Sequence, residues 1–545
     1  MSPSIDALLT AADPETPRRL GELIERLDAA HLLTGTRQEG RPIGPAALGG
    51  IEVRGVTEDS RTVEAGSLFV AIAGEHVDGH ELVGQAEAAG AAAAIVERPV
   101  ADVGIPQVVV ERSRNALADA ATWWFGDPSH ELGVVGVTGT DGKTTTTFLA
   151  VAALEAAGVS TGLIGTVDTK IGATRQSNDA HATTPDAVTL QRALRAMVLA
   201  GNQAAVLETT SHGLAAERVR GVAYDAAIVT NVTHEHLEFH GSWEAYRGAK
   251  LSLFERLAVS PANPRKRAPA PSWPKVAIVN ADDPSAGLFV GVAQEAGARI
   301  VTYGTDQASD VRALHSEEDA SRLRIEYAAP SGAAQVDLRL AGRFNVLNAL
   351  AVVALGESIG LDPGAVRAGL ETVEGVPGRM ERVDVGQPFG VVIDYAHSPA
   401  SLRAVLDILA PVAAARGGEL VAVFGSAGER DVEKRPMMGR IAAERCRLVV
   451  VTDEDPRGED REAILDEIAR GAEASGMQRG RNLLLIADRR EAVSAALERA
   501  RPGDVVLLAG KGHERSIIGP TGPVAYDERA SALDALAALG YRVTG

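Results

Sequence analysis

The segment Gly136–Thr147, GVTGTDGKTTTT, carries the residue types that hold a polyphosphate. Gly136, Gly139 and Gly142 let main-chain amides turn toward an anion, with Thr140, Asp141 and Thr145 between and after them. Lys143 reaches β- and γ-phosphates, and Thr144 offers a hydroxyl to Mg²⁺. Val137 stands where the strict pattern G-x-x-x-x-G-K-[ST] wants glycine, so this is a variant phosphate loop. Hydrolysis, phosphoryl transfer to a hydroxyl and activation of a carboxylate all begin at such a loop. Other residues must decide among them. Glu208 follows the apolar run AAVL, which predicts a carboxylate at a strand end facing a cleft. His212, His236 and His240 lack the spacing of a metal motif, and Lys250 taken alone is an ordinary exposed helical lysine. Asn280, Asp282, Asn345 and Asn348 are of the types that cap turns.

The loop needs a strand before it and a helix after it, and the chain supplies both. LGVVGV is a buried-strand run, and TTTTFLAVAALEAAG is a helical stretch ending at glycine. Similar runs, among them SLFVAIAG, AAIVTNV, KVAIVN, LVAVFGS and DVVLLAG, alternate with Ala/Leu-rich helical stretches. This predicts an α/β class with mostly parallel sheets. A length of 545 residues predicts three or four domains. Turn chemistry in FGDPSH (Phe125–His130) and EGVPGRME (Glu374–Glu381) predicts joins. The divisions are then 1–45, a loosely tethered N-terminal extension with one helix; 46–128, an N-terminal domain; 129–376, a central nucleotide domain; and 377–545, a C-terminal domain. Ser260–Lys275 is proline-rich and basic, and reads as an exposed loop insertion.

A net charge of −19, from 54 basic and 73 acidic residues, argues against a nucleic-acid partner while leaving local anion sites open. The single cysteine, Cys446, excludes an intramolecular disulfide and a cysteine-based zinc site, and fits a reducing compartment. No apolar run approaches the roughly 18 residues of a membrane span, and the N-terminus lacks the order of a signal peptide. A cytoplasmic monomer with no membrane insertion is expected.

Further motifs follow the loop in a fixed order. ATTPD carries Thr183 and Thr184. LETTSHGLAAERV carries Glu208, Ser211, His212 and Arg218. TNVTHEHLEFHGSWEAYRGAK carries Asn231, His236, His240 and Lys250. IVNADD and GRFNVLNALA carry Asn280, Asp282, Asn345 and Asn348. VPGRME, DYAHSP and GSAGERDVEKRP carry Arg379, Asp394, His397, Arg430, Asp431 and Lys434. EDPRGED and GKGHE close the set. From residue 52 to its end the chain resembles the Mur ligase family, whose loop reads G-x-x-G-T-[ND]-G-K-T-T. Asp141 stands where asparagine is more usual.

The resemblance implies a three-domain Mur ligase architecture, with a central P-loop ATPase domain and a C-terminal Rossmann-like domain. Of the family's reactions, the motifs are most similar to the one that adds a third residue, a diamino acid, to UDP-MurNAc-L-Ala-D-Glu in peptidoglycan synthesis. ATP activates the D-Glu carboxylate as an acyl phosphate. The resemblance implies that Gly139–Thr145, Asn280, Asp282, Asn345, Asn348, Arg379 and Asp394 serve ATP. Thr144, Glu208, His236 and Lys250 (as a carbamate) would serve Mg²⁺. Ser60, Glu75, His76 and Val77 would lie on the uridine side, and Thr183, Thr184, Ser211 and Arg218 on the muramoyl-peptide side. Arg430, Asp455, Arg457, Gly510 and Glu514 would hold the incoming amino acid.

Departures from the family pattern fall at Ala182 and Ala216, on the nucleotide-sugar side, and at Asp455. Members that add meso-diaminopimelate carry D-N-P-R, and this chain reads Glu454-Asp455-Pro456-Arg457. Arg457 suits a distal carboxylate. The charge of Asp455 should repel one, which favours L-lysine or L-ornithine. Joins near 126–130 and 374–380 would allow closure over the acyl phosphate. Competing readings are another superfamily ligase of folylpolyglutamate or cyanophycin type, a P-loop NTPase acting as switch or motor, and an inactive homologue.

Overall fold

Apolar runs bounded by turn residues become the inner strands of parallel sheets. The computed structural model describes residues 3–74, 77–178, 183–233, 237–259, 273–318, 322–340 and 342–542. The chain divides into two units. One holds residues 1–315, 325–336 and 346–372, and the other holds 316–324, 337–345 and 373–545.

In the first unit the run GVVGVT forms the strand Gly133–Thr138, buried along its whole length. Ala204–Glu208 pairs with it in parallel on one side, and Ala226–Val229 on the other. Thr161–Ile164, Val276–Asn280 and Arg299–Gly304 extend the parallel set outward. The chain thus moves to opposite sides of Gly133–Thr138. In open parallel sheets ligands bind at such a switch point, beyond the carboxyl ends of the strands. The helix Lys143–Ala156 leaves that end of the strand. Pro363–Thr372 packs across it so closely that a Cβ on Gly369 would lie 2.5 Å from the Ala152 carbonyl oxygen.

Of the expected extension 1–45, the described residues 3–45 are not loosely tethered. Leu20, Leu23, Ile24 and Leu27 lie on one face of the helix Leu20–Ala29 and share a core with Leu68, Ile95, Trp123 and Trp124. The spacing i, i+3, i+4, i+7 is that of a buried helical stripe. Leu33–Gln38 joins the six-stranded N-terminal sheet antiparallel to Gln107–Val110. Ile5, in the helix Ile5–Thr10, is buried in the central core. The boundary expected after residue 45 therefore cuts through one sheet.

Of the segment 260–275, residues 260–272 lie outside the described residues, and the last ones are built in rather than exposed. Trp273 is buried against Gly133, where any Cβ would overlap its ring. Lys275 donates to the Tyr224 carbonyl and to Asp225 Oδ1.

The second unit centres on a sheet ordered Glu381–Arg382, Gly390–Asp394, Val505–Ala509, Leu420–Phe424, Cys446–Val451 and Leu483–Leu485. All its pairings are parallel except the first. Among the described residues no helix is long and apolar enough to cross a membrane.

Candidate active site

The turn between Gly133–Thr138 and its helix is fixed by two glycines with positive φ, Gly139 at 149° and Gly142 at 82°. A Cβ at 139 would overlap Thr230, and one at 142 would lie 2.5 Å from Asn348 Oδ1. Only glycine fits both the backbone and the space. The next strand's end clamps the turn. Thr140 N donates to Asn231 O (2.8 Å), Asp141 N to Asn231 Oδ1 (3.0 Å), and Thr230 Oγ1 to Asp141 O (2.6 Å). The Asp141 side chain is left at the surface. Lys143 Nζ folds back onto its own loop, donating to Gly139 O (3.1 Å) and Thr140 O (2.8 Å). Thr145 is buried behind it.

Glu208 ends its strand and is buried, as the AAVL run predicts. Its Oε2 accepts from Thr144 Oγ1 (3.2 Å) and Thr166 Oγ1 (2.7 Å), and its Oε1 accepts from Thr166 N (3.1 Å). A threonine hydroxyl and a carboxylate beside a phosphate loop form the all-oxygen donor set that suits Mg²⁺, which keeps water and phosphate oxygens as its other ligands. Among the described residues no three His, Cys, Asp or Glu gather as a metal site of their own. His236 lies outside the described residues.

Lys250 is not an exposed helical lysine. It is buried, and its Nζ donates to Gly139 O (2.6 Å) and lies 4.4 Å from the centre of the Tyr246 ring. Tyr246 OH meets Thr140 Oγ1 at 2.9 Å. The helix Trp243–Val259 thus touches the phosphate loop at two points. His212 and His240 pack by their rings, 5.5 Å apart, with Phe239 and Tyr246. Asn280 Nδ2 donates to Thr230 O (2.6 Å), and Asp282 accepts from Thr305 N and Oγ1 (3.0 Å). Both residues tie strand ends near the loop. Asn348 accepts from Thr146 Oγ1 (3.2 Å), and Asn345 is buried at the start of the helix Asn345–Ile359.

Beside Glu208, Thr184 Oγ1 donates to the Glu208 carbonyl (2.9 Å), and Arg218 Nη1 donates to the Thr184 carbonyl (2.7 Å). Thr210 caps the short helix Ser211–Ala215, in which Ser211 is buried. Thr183 Oγ1 lies 2.9 Å from Thr166 Oγ1. In the N-terminal sheet region Ser60 is buried near Gln85 (3.4 Å). The fork of Arg61 holds the Asp59 carboxyl down to about 2. Glu75 and His76 lie outside the described residues, and Val77 is exposed. Thr166, Thr210 and Tyr246 escape the motif reading. The first could have been found by the rule that finds Glu208, as a polar residue just past an apolar strand run.

In the second unit Arg379 stacks 4.8 Å over the Tyr395 ring, and Asp394 accepts from Met380 N and Ala396 N (2.8 Å each). Gly510 takes φ 102° at the end of its strand. Lys511 is fully buried, and its Nζ donates to Asp455 Oδ1 (2.8 Å) and Glu514 Oε2 (2.5 Å). Asp455 Oδ1 also accepts from Ile518 N (2.9 Å). Asp455 is therefore not a free anion, and the repulsion expected of it is met by Lys511. Arg457 sits at φ 54°, carries no ion pair among the described residues, and has a buried Nε without a hydrogen bond. Burial pushes the neighbouring Glu454 carboxyl up. Arg430 is exposed.

Three stretches match domain families: residues 52–123 the Mur ligase family catalytic domain, 137–356 the Mur ligase middle domain, and 378–512 the Mur ligase glutamate ligase domain. Over 530 residues the chain is 48% identical to a UDP-N-acetylmuramyl-tripeptide synthetase of Roseiflexus sp. (strain RS-1), covering 96% of this chain and 99% of that one. The chain belongs to the Mur ligase family.

It has the three-domain Mur ligase fold and is an ATP-dependent ligase of peptidoglycan precursor synthesis, joining an acid to an amino acid with formation of ADP and phosphate. A UDP-N-acetylmuramoyl-L-alanyl-D-glutamate–2,6-diaminopimelate ligase of Bacillus cereus is 39% identical over 469 residues, 86% of this chain and 91% of that one. A solved structure of an enzyme of that name is 30% identical with a TM-score of 0.61, covering 90% of this chain and 96% of that one. The Thermotoga maritima MurF ligase in complex with ADP, 21% identical over 89% of this chain and 96% of its own, shares the fold with a TM-score of 0.56.

Proposed function

We propose that this Mur ligase adds a diamino acid to the D-Glu carboxylate of UDP-MurNAc-L-Ala-D-Glu. What carries this reading is the phosphate loop whose Thr144 meets the strand-end carboxylate of Glu208, in a chain similar to a tripeptide synthetase over 96% of its length. A carboxylate must approach a triphosphate, so charge must be neutralised first. Lys143 and the amides at the helix start would hold the β- and γ-phosphates. Thr144 and Glu208, with His236 and a carbamoylated Lys250, would hold Mg²⁺, which supplies charge neutralisation at the γ-phosphate. Thr183, Thr184, Ser211 and Arg218 would orient the peptide, and Ser60 with 75–77 the uridine. Asn280, Asp282, Asn345, Asn348, Arg379 and Asp394 would serve the rest of ATP. A D-Glu carboxylate oxygen attacks the γ-phosphorus, ADP leaves, and the incoming amine displaces phosphate from the acyl carbon. The working divisions would be residues up to 128, 129–376 and 377–545, in a cytoplasmic monomer.

Arg430, Arg457, Gly510 and Glu514 would receive the amino acid, with Asp455 neutralised by Lys511 behind them. Pairing with Lys511, which Asp455 shares with Glu514, weakens the ground for favouring lysine or ornithine. Arg457, a guanidinium without a carboxylate partner among the described residues, favours a side chain that ends in one, as meso-diaminopimelate does.

The test is purified protein with ATP, Mg²⁺ and UDP-MurNAc-L-Ala-D-Glu, plus meso-diaminopimelate, L-lysine, L-ornithine or no amino acid. Phosphate release and product mass are read. Phosphate and a tripeptide-sized product with meso-diaminopimelate alone is the expected result. Product with lysine or ornithine instead keeps the ligase and overturns the amino acid. Equal phosphate in all tubes without product would mark an NTPase, and neither would mark an inactive homologue.

A further inference from the structure

We infer that Thr166 is a positioning residue that links the carboxylate on the phosphate side, Glu208, to the hydroxyl on the peptide side, Thr183, and so couples binding of nucleotide and peptide substrate. The inference rests on the ligase reading above. Thr161–Ile164 pairs in parallel with Ala204–Glu208, Ile164 opposite Leu207, so the turn after Ile164 arrives beside Glu208. Gly165 permits the approach, since a Cβ there would lie 2.7 Å from Glu208 Oε1. Thr166 then grips both carboxylate oxygens, Oε1 by its amide (3.1 Å) and Oε2 by its hydroxyl (2.7 Å).

A hydroxyl has one proton to give. The carboxylate is the stronger acceptor, so Thr166 Oγ1 donates to Glu208. The same hydroxyl is also aimed as a donor at Thr183 Oγ1, 2.9 Å away, so two acceptors compete for its proton. The result is one proton between two acceptors, the Thr183 hydroxyl and Glu208, and the second also accepts from Thr144 of the phosphate loop. When a substrate group engages Thr183 in place of Thr166, the Thr166 proton passes wholly to Glu208 and that bond strengthens. The turn does not depend on this hydroxyl. Asn178 Nδ2 donates to Gly165 O (2.9 Å), Asn178 N to Val167 O (2.7 Å), and Gly165 N to Asp168 O (3.1 Å).

The test uses the full-length protein and two variants, Thr166→Val, which keeps shape and amide, and Thr166→Ser, which restores the hydroxyl. ADP binding is measured by calorimetry across a Mg²⁺ titration, with and without saturating UDP-MurNAc-L-Ala-D-Glu. In the wild type the nucleotide sugar should tighten MgADP binding. In Thr166→Val the Mg²⁺ midpoint should rise about 10-fold, the usual scale for losing a residue that orients a metal ligand. The effect of the nucleotide sugar should vanish, and Thr166→Ser should restore both. An unchanged midpoint in Thr166→Val overturns the inference, as does a wild type without coupling. A loss equally large without Mg²⁺ and not recovered by serine also overturns it, since that marks a merely structural side chain. If the wild type neither binds the nucleotide sugar nor makes product, the ligase reading fails. The Mg²⁺ midpoint still tests the link between Thr166 and Glu208 in that case.

Discussion

Glu208 and Lys511 show two uses of a buried charge. Glu208 is held by hydroxyls and one amide, with no cation against it among the described residues, an arrangement that suits a metal. Glu208→Gln should lower the rate of phosphate release at least 100-fold and raise the Mg²⁺ requirement, read in a steady-state assay over Mg²⁺ concentration. Lys511 is instead closed between Asp455 and Glu514. Lys511→Met should destabilise the fold by about 3–5 kcal/mol, because it strands the buried Asp455 and the partly buried Glu514, and denaturant unfolding will show it. Arg457→Ala should raise the KM for meso-diaminopimelate about 100-fold while leaving turnover with saturating amino acid much less changed. The placement of Lys143 and Thr144 at the strand-to-helix turn, and of Glu208 at a strand end, was legible in the sequence because it follows from residue type and immediate neighbours. The burial of Lys250 was not legible, because it depends on Tyr246 and Gly139, the latter 111 residues away in the chain. Asp455 displayed its charge in the sequence but not its partner, 56 residues downstream.

Strands and helices were readable where they carry their own pattern, and misread where a distant partner decides. GVVGVT announces a buried strand by composition alone. Leu33–Gln38 is a strand because Gln107–Val110 offers an edge, and nothing within LTGTRQ says so. Close helix crossings are equally silent in sequence. Gly369→Leu should cost about 1–3 kcal/mol through overpacking against Ala152 and Ala153, measured by thermal unfolding. At the strand ends of the second unit, burial raises the Asp504 carboxyl, but Arg447 and the amides of Glu419 and Arg501 outweigh it and hold the group below the usual carboxylate range. Its folded form therefore prefers the ionised state. The stability this adds is present above the ordinary carboxylate pKa and is lost as pH falls through the depressed one. Asp504→Asn should be about 1–3 kcal/mol less stable at pH 7, and the gap should close on acidification, as denaturant titrations at pH 7, 5 and 3 would show.

At the scale of the molecule, the only cysteine is a reporter. Cys446 is buried in the second unit's core, and burial pushes its thiol up to about 12. The native protein should resist thiol reagents at pH 8, and labelling followed by intact mass should track unfolding of that unit alone. Rapid labelling without denaturant would contradict this. The three family matches follow the order of the sheets along the chain, which the alternation of strand runs and helical runs already implied. The place of residues 1–45 was not implied, because an amphipathic stripe such as Leu20–Leu27 identifies a helix but not the surface it covers.

The back-folded Lys143 has a kinetic consequence. Its ammonium is already satisfied by two carbonyls of its own turn. An arriving triphosphate does not meet an idle cation; it performs an exchange, displacing Gly139 and Thr140 from a charge they already solvate. The same carbonyls stand ready to reclaim that charge when ADP departs. The loop is thus a competitor of its own ligand. Such a loop gives up some grip on the nucleotide and gains a faster exit for product, a useful property in an enzyme that must let go of ADP once per peptide bond.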